Sequence, residues 1–359
     1  MRKKLLAGTM IAAACLLLGV AGFRVYRAGS FSWGIFTEEE NVLAETSTAY
    51  RYDLAFSRTL FQYSSFRSMY RADYSTAIPG LENTCFSEPE SRQMVPQGIC
   101  IAEEYMLITA YDKTEQENSV IYVLSNEDAS NREFLTLIVL PDCNHVGGIA
   151  YDGRNLWVAK STSKCLGRIS PARIDAAVES GQPIYELDDY DEEVPCGMTA
   201  SFVSWNDDRL WVGTSHSLFS QQGKLAVFLM DSGEEGTELT RQFTLDIPDY
   251  VQGLSFFSVD ETPYVVMSAS FGRFSDSCLY LYREEISDKK LKLYYETTYE
   301  LPPMVEELIS DGEFTYCLFE SAATCYSAAD GFSCHYPVDR VCALQNRMLA
   351  GAEEDADDF

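Results

Sequence analysis

Two glutamates are the strongest candidates for chemistry in this 359-residue sequence. Glu306 interrupts an apolar segment, and Glu320 directly follows another. A pair of partly desolvated carboxylates can act as general acid and general base, which is the chemistry of glycosidic cleavage. His145 is a candidate second base. We therefore take Glu306, Glu320 and His145 as candidate catalytic residues of a hydrolase or lyase.

The same glutamate permits a different chemistry. Oxygen atoms of Glu306, Gln97 and Gln252 are suitable ligands for a divalent cation, which would suit lactone hydrolysis instead. Tyr111 would add stacking to a binding face. The candidate ligand-binding residues are polar side chains at corresponding places in the chain: Gln97, Asp112, Lys160, His216, Gln252 and Arg273.

Each candidate also has a purely structural interpretation. The two glutamines can hydrogen-bond neighbouring backbone, and Lys160 or Arg273 can simply neutralise a crowded carboxylate. Three functions therefore stay open. The first is a surface that binds a small molecule, a carbohydrate or a wall-derived ligand; the second is the hydrolase or lyase; the third is a protein-interaction scaffold of the cell envelope.

An internal repeat places these residues. An element of the form apolar-x-small-apolar recurs at 96–99, 146–149, 195–198, 251–254 and 305–308. A polar turn, a second apolar strand, a Ser-rich loop and a third strand follow it, and a fourth strand precedes the next element. Four short strands per unit of roughly fifty residues are typical of a β-propeller blade.

Five units predict an all-β, five-bladed β-propeller over residues 72–346. The fifth unit lacks a fourth strand, and the pattern of segment 72–79 predicts that this N-terminal strand supplies it and closes the ring. A sixth, degenerate blade from residues 45–75 is the alternative. In a propeller, the starts of first strands and the ends of second strands meet on one face, which would gather the candidates at the channel mouth.

The strings MVPQGICI, HVGGIAYDGRNLWVA and LPPMVEELISDG resemble a group of uncharacterised exported β-propeller proteins of Gram-positive bacteria. The resemblance covers residues 72–346 and implies fold and export, with no activity to transfer. More distantly, the architecture is similar to lactonase-like and quinoprotein-type propellers. Glu307 departs from the pattern, because glycine usually follows the first glutamate there.

Composition excludes one class of partner. The formal net charge of −28 repels phosphate backbones, so we expect no nucleic acid partner. Among the eleven cysteines, Cys325 and Cys334 are the best candidates for a disulfide because one loop holds both.

The N-terminus predicts the compartment. Three basic residues at 2–4 precede an apolar run over 5–23, which is typical of a signal anchor or signal peptide within residues 1–30. We expect a stalk over 31–71 and an acidic tail over 347–359. The sequence thus predicts a single-pass protein of the cell membrane with its propeller outside the cytoplasm, or a secreted protein if the signal is cleaved.

Overall fold

The computed structural model describes residues 53–81, 93–215, 222–233, 236–287, 289–327 and 333–352. The predicted signal segment, His216 and most of the acidic tail lie outside these ranges. Within the described ranges, no helix has both the length and the apolar character that a membrane crossing requires.

The described residues form five helices and twenty-one strands. The helices are α1 (Asp53–Gln62), α2 (Ser64–Met69), α3 (Pro171–Glu179), α4 (Thr324–Ser327) and α5 (Asn346–Leu349). The strands are β1 (Tyr70–Ala77), β2 (Met94–Ala102), β3 (Tyr105–Asp112), β4 (Val120–Ser125), β5 (Phe134–Val139), β6 (Val146–Tyr151), β7 (Leu156–Lys160), β8 (Cys165–Ile169), β9 (Ile184–Glu186), β10 (Glu192–Pro195), β11 (Phe202–Asn206), β12 (Arg209–Thr214), β13 (Lys224–Gly233), β14 (Gly236–Asp246), β15 (Val251–Val259), β16 (Thr262–Ala269), β17 (Ser277–Ser287), β18 (Lys290–Leu301), β19 (Val305–Ser310), β20 (Phe314–Phe319) and β21 (Arg340–Gln345).

The strands build five blades, as the repeat predicts. Blade 1 is β2-β3-β4-β5, blade 2 is β6-β7-β8-β10, blade 3 runs from β11 to β14, and blade 4 from β15 to β18. Blade 5 has the order β19-β20-β21-β1. The N-terminal strand therefore closes the ring by pairing antiparallel with β21, with Tyr70 opposite Leu344 and Ala77 opposite Arg340.

The segment before β1 differs from the expected stalk. From Asp53 onward it forms α1 and α2, whose apolar residues recur at helical spacing and face the propeller. Phe56, Phe66 and Met69 are buried against side chains of blades 4 and 5. Arg340 of β21 fixes this contact, since its guanidinium lies 3.0 Å from Asp53 and 4.0 Å from the centre of the Phe56 ring.

The third repeat element was wrongly placed at 195–198. Pro195 ends β10, the outer strand of blade 2, and blade 3 begins at Phe202. The cause is an insertion: α3 and β9 follow β8, and β9 pairs parallel with β5 of blade 1 instead of completing blade 2. Gly197 then turns the chain at a φ of 69°. The element in register with the others is 200–203.

The repeat element is a β-bulge. In β2, β6 and β15 the pairing register shifts at the second position of the element, which is Gln97, Gly147 and Gln252 respectively. In β19 the shift spans Glu306 and Glu307. A bulge inserts an unpaired residue and re-aims its side chain, so these four innermost strands each present an unpaired position at the same end of the channel, whereas β11 pairs with β12 without a shift.

The predicted disulfide is not formed. Cys325 and Cys334 are both buried free thiols, and every other cysteine of the described residues is also free. Burial raises the pKa of each of these two thiols, to about 11 for Cys325 and about 12 for Cys334, so both pack as small apolar groups.

Candidate functional site

The two candidate glutamates meet at the channel mouth. Glu306 lies in the bulge of β19, and Glu320 directly follows β20 of the same blade. The carboxyl groups are 4% and 9% exposed, and they lie within hydrogen-bond reach of each other. Neither forms a salt bridge with a described residue. Gln97 of blade 1 donates from Nε2 to Glu320 Oε2 at 3.1 Å and to the Pro96 carbonyl at 2.9 Å.

Burial raises the pKa of both carboxyl groups. Desolvation, followed by the charge of Glu320, raises the pKa of Glu306 well above its ordinary value. Desolvation also raises the pKa of Glu320 to about 7, although Lys113 opposes the shift. Two interacting carboxyls titrate as a unit, so the pair keeps a proton at a higher pH than an ordinary glutamate does, with Glu306 as hydrogen-bond donor and Glu320 as acceptor.

Two tyrosines extend the pair toward the surface. Tyr326, in α4 of blade 5, lies within hydrogen-bond reach of Glu320 and of Tyr111, which is in β3 of blade 1. The Lys113 ammonium lies 3.9 Å from the centre of the Tyr326 ring, and the Arg273 guanidinium lies 5.0 Å from it. Blades 1, 4 and 5 therefore each bring a loop to this one aromatic side chain.

His145 joins the site through Tyr111. The two ring centres are 4.1 Å apart, and His145 Nδ1 is buried without a hydrogen-bond partner among the described residues. Burial lowers the pKa of His145, so the imidazole is neutral near pH 7 and can accept a proton. The structure thus brings Glu306, Glu320, Gln97, Arg273 and His145 together.

Glu307 fills the centre of the ring behind the pair. Its side chain is 1% exposed, and its carboxylate accepts backbone N–H groups from three blades. Oε2 accepts from Ile99 and Ile149, each at 2.9 Å, and Oε1 accepts from Val203 at 3.4 Å. All three donors occupy the fourth position of their element. The glycine expected at this position is thus replaced by a side chain that joins the innermost strands.

Two other candidates, Asp112 and Lys160, are engaged elsewhere. Asp112 is buried in its own loop, where it accepts hydrogen bonds from Thr114, Gln116 and Glu117. Although desolvation opposes them, these bonds hold its pKa below the ordinary value. Lys160 is 1% exposed and forms ion pairs with Asp142 at 2.6 Å and Glu193 at 2.8 Å, so its charge is already compensated. His216 lies outside the described residues.

The three candidate cation ligands lie in the innermost strands of three blades: Gln97 in β2, Gln252 in β15 and Glu306 in β19. Among the described residues, no three His, Cys, Asp or Glu side chains are arranged to hold one. Gln97 donates from Nε2 to Glu320, and its other amide atom, Oε1, is an oxygen acceptor of the type that a divalent cation takes. Gln252 lies half-buried at the equivalent bulge of blade 4.

Sequence reasoning missed Lys113 and Tyr326. Lys113 directly follows Asp112, which the propeller geometry did select, so the end of β3 was a usable signal. Tyr326 lies in a long loop with no repeat counterpart, and only tertiary packing brings it over Glu320. Lys113 and Tyr326 supply the cation and the phenol closest to the carboxyl pair.

Comparison with known proteins adds fold similarity alone. No family model matches the sequence, and no curated protein matches it. The crystal structure of Myxococcus xanthus glutaminyl cyclase is similar with a TM-score of 0.42 and 9% identity, over 71% of this chain and 91% of that chain. The structure of Pseudomonas aeruginosa periplasmic gluconolactonase is similar with a TM-score of 0.37 and 12% identity, over 64% of each chain. The crystal structure of a putative 6-phosphogluconolactonase from Bacteroides uniformis is similar with a TM-score of 0.37 and 11% identity, over 61% of this chain and 76% of that chain.

No sequence match supports membership in the Gram-positive exported group. The protein is a five-bladed β-propeller on the evidence of its own sheets.

Proposed function

We propose that this propeller binds a small polar ligand at its channel mouth and acts on it by general acid–base catalysis, as a hydrolase or lyase. One observation carries the proposal: Glu306 and Glu320 are buried side by side at the channel mouth, where burial raises the pKa of both carboxyl groups. An acid and a base of this kind, with pKa values moved toward the working pH, are what proton-transfer catalysis requires.

The proton balance of a hydrolytic step is simple. Glu320 takes a proton from water as the water oxygen attacks, and Glu306 gives its proton to the leaving oxygen. The proton then rests on Glu320, and transfer within the pair restores the starting state. Tyr326 and Lys113 lie beside Glu320 and would stabilise negative charge that develops on the reacting oxygen.

The spacing of the carboxyl groups favours an ester-like or lactone bond. Glycosidases place their carboxyl groups about 5–9.5 Å apart, on opposite sides of the scissile bond. Glu306 and Glu320 are within hydrogen-bond reach of each other and act from one side. Glycosidic cleavage, the first chemistry suggested by the sequence, therefore fits this geometry less well than ring opening of a lactone.

The shared proton is tested first by infrared spectroscopy of the full chain at pH 6 to 9. We expect a protonated-carboxyl C=O band at pH 6 that is weaker in Glu306→Gln than in the wild type, while Glu284 and Glu307, whose pKa values burial also raises, supply the band that remains. Glu313→Gln is the matched control, because Glu313 is an exposed carboxylate of the same blade. A Glu306→Gln spectrum that keeps the whole band would overturn the proposal.

Activity is tested with δ-gluconolactone, by acid release at constant pH. Glu306→Gln and Glu320→Gln should each slow turnover about 10²- to 10⁴-fold, and Glu313→Gln should not. Thermal unfolding with Ca²⁺, Mg²⁺ or Zn²⁺ is a counter-test. If one ion raises the midpoint of thermal unfolding in the wild type but not in Glu306→Gln, Glu306 binds a metal ion and the shared-proton proposal is wrong.

We also propose that the chain is exported and anchored by the apolar run at 5–23. The support is the sequence pattern alone, a basic start before an apolar stretch long enough to span a bilayer. Membrane fractionation with protease protection tests it: the propeller should be digested from outside intact cells and stay with the membrane fraction.

A further inference from the structure

We propose that a cavity on blade 3, separate from the carboxyl pair, binds a small hydroxy acid, and that Arg241 binds its carboxylate group. The cavity has a volume of about 350 Å³ and lies between the sheet of blade 3 and the segment 198–199 that leads into this blade. Glu306 and Glu320 do not line it. The volume is at the lower end of the range for small-molecule sites, so the ligand is small.

Small side chains form the floor of the cavity. Ala226 of β13 and Thr244 of β14 are opposite each other in the sheet. On the same face, the preceding pair contains Lys224 and the following pair contains Arg241, and both of these side chains line the cavity. Side chains of alternate pairs lie on one face of a sheet, so the short pair forms a hollow between two long, positively charged side chains.

A β-bulge brings Arg241 to this face. The register between β13 and β14 shifts between Val227 and Phe228, so the residue opposite Phe228 is Arg241 instead of Gln242. In a regular strand Arg241 would lie on the other face from Thr244, because the two are three positions apart. Bulges re-aim side chains in this way and are frequent beside functional sites. The position of Arg241 in the cavity is therefore a built feature of the blade.

Arg241 is the cation that remains available to a ligand. Its side chain is exposed, its Nη2 donates to the Cys196 carbonyl at 3.3 Å, and its guanidinium lies 5.3 Å from the centre of the Phe228 ring. A guanidinium has five N–H donors, so these two contacts orient the side chain and leave donors for a ligand. Among the described residues, no carboxylate forms a salt bridge with Arg241, whereas Lys224 is already paired with Asp246.

The lining favours a carboxylate that carries a hydroxyl group. The fork of a guanidinium matches the two oxygens of a carboxylate in a bidentate hydrogen bond. Thr199 and Thr244 contribute hydroxyl-bearing side chains to the lining, and Met198 contributes an apolar one. A small hydroxy acid offers an anion, a hydroxyl group and a short carbon chain to these three kinds of partner.

The test uses sodium lactate as the probe, with lactamide as its neutral isostere. The full chain is kept in detergent, and dissociation constants are measured by ligand-observed NMR at constant ionic strength. We expect lactate to bind, and lactamide to bind about tenfold or more weakly. Arg241→Gln should weaken lactate binding about tenfold or more, as for loss of a charge-assisted hydrogen bond.

Matched controls separate the cavity from total charge and from general changes in β14. Arg154→Gln removes one positive charge from an exposed loop and should leave the dissociation constant of lactate within about twofold. Thr244→Leu fills the floor of the cavity and should weaken lactate binding about tenfold. Thr240→Leu is the same change on the same strand, but Thr240 is exposed and pairs with Leu229 on the opposite face, so this variant should keep wild-type affinity.

The inference is overturned if lactate and lactamide bind equally, if neither binds at tens of millimolar, or if Arg241→Gln retains wild-type affinity. Inorganic phosphate is a second probe, and phosphate that binds through Arg241 more tightly than lactate would overturn the ligand class. Glu306→Gln should bind lactate as the wild type does, because Glu306 does not line the cavity. Loss of lactate binding in Glu306→Gln would place lactate at the channel mouth and would also overturn the inference.

Discussion

Glu307 offers the sharpest test of how the ring is held together. Its carboxylate is the acceptor for backbone N–H groups of blades 1, 2 and 3, while its own backbone belongs to blade 5. Replacement by alanine removes the acceptor but leaves the three donors buried around the axis. We therefore expect Glu307→Ala to destabilise the propeller without touching any surface of the candidate site that faces solvent.

The magnitude follows from the hydrogen bonds. The N–H groups of Ile99 and Ile149 lie 2.9 Å from Glu307 Oε2, so each forms a full hydrogen bond. The N–H group of Val203 lies 3.4 Å from Oε1 and forms only a weak one. A buried donor left unpaired costs about 1–3 kcal/mol, so two of them cost about 2–6 kcal/mol. Release of a desolvated carboxyl offsets part of this loss. We expect Glu307→Ala to lower the free energy of unfolding by about 2–4 kcal/mol.

Glu307→Gln is the control. One amide oxygen in the place of Oε2 keeps both short hydrogen bonds, so this variant should lose about 1 kcal/mol or less. Urea unfolding followed by tryptophan fluorescence gives both values from the midpoint and the slope. Two results would refute the argument that the Glu307 acceptor joins the blades. The first is a free energy of unfolding for Glu307→Ala within 1 kcal/mol of the wild-type value, and the second is a Glu307→Gln variant that is no more stable than Glu307→Ala.

Two further predictions concern buried positions outside the carboxyl pair. Gly148→Ala would place Cβ 2.4 Å from Glu307 Oε1 and 2.8 Å from the Val203 nitrogen, so urea unfolding should show a loss of about 1–3 kcal/mol, against almost none for Gly233→Ala, where no atom lies within 4 Å. Glu284 is 7% exposed, and desolvation raises its pKa to about 7 from an ordinary value of 4.5. Because the pKa is raised in the folded state, the contribution of Glu284 to stability is complete below pH 4.5 and is lost as pH rises through 7. Between pH 5 and pH 8 the free energy of unfolding of Glu284→Gln should therefore rise by on the order of 3 kcal/mol relative to that of the wild type. Equal pH profiles of the two proteins would contradict this.

The sequence was sufficient for most of the fold because each blade buries its strands in the same pattern. The closing strand was predictable for a physical reason: unit 5 lacked an outer partner, and segment 72–79 had the matching alternation, observed as β1 at Tyr70–Ala77. The insertion of α3 and β9 was not predictable. It carries strand-like residues at the expected spacing, and only packing shows that β9 belongs to blade 1.

Sequence placed the carboxyl pair together with Gln97, Arg273 and His145, but it missed Lys113 and Tyr326. The repeat puts Glu306 at the start of a first strand and Glu320 at the end of a second strand, and propeller geometry then requires that they be close. The repeat could not show that Lys160, in a similar position, is neutralised by Asp142 and Glu193. Compensation of a charge depends on loops that differ between blades, and such loops leave no periodic signal.

The pairing of β1 with β21 has a consequence for when this site can exist. A growing chain emerges with β1 near its start, and β21 follows only after all the other strands of the ring. Until then blade 5 has only the β19–β20 hairpin, and a two-stranded hairpin is marginally stable in water. Its glutamates remain hydrated and acidic in the ordinary way. The buried carboxyl pair is therefore a product of completed synthesis, and a chain that ends before Arg340 would fold several blades yet leave Glu306 and Glu320 hydrated.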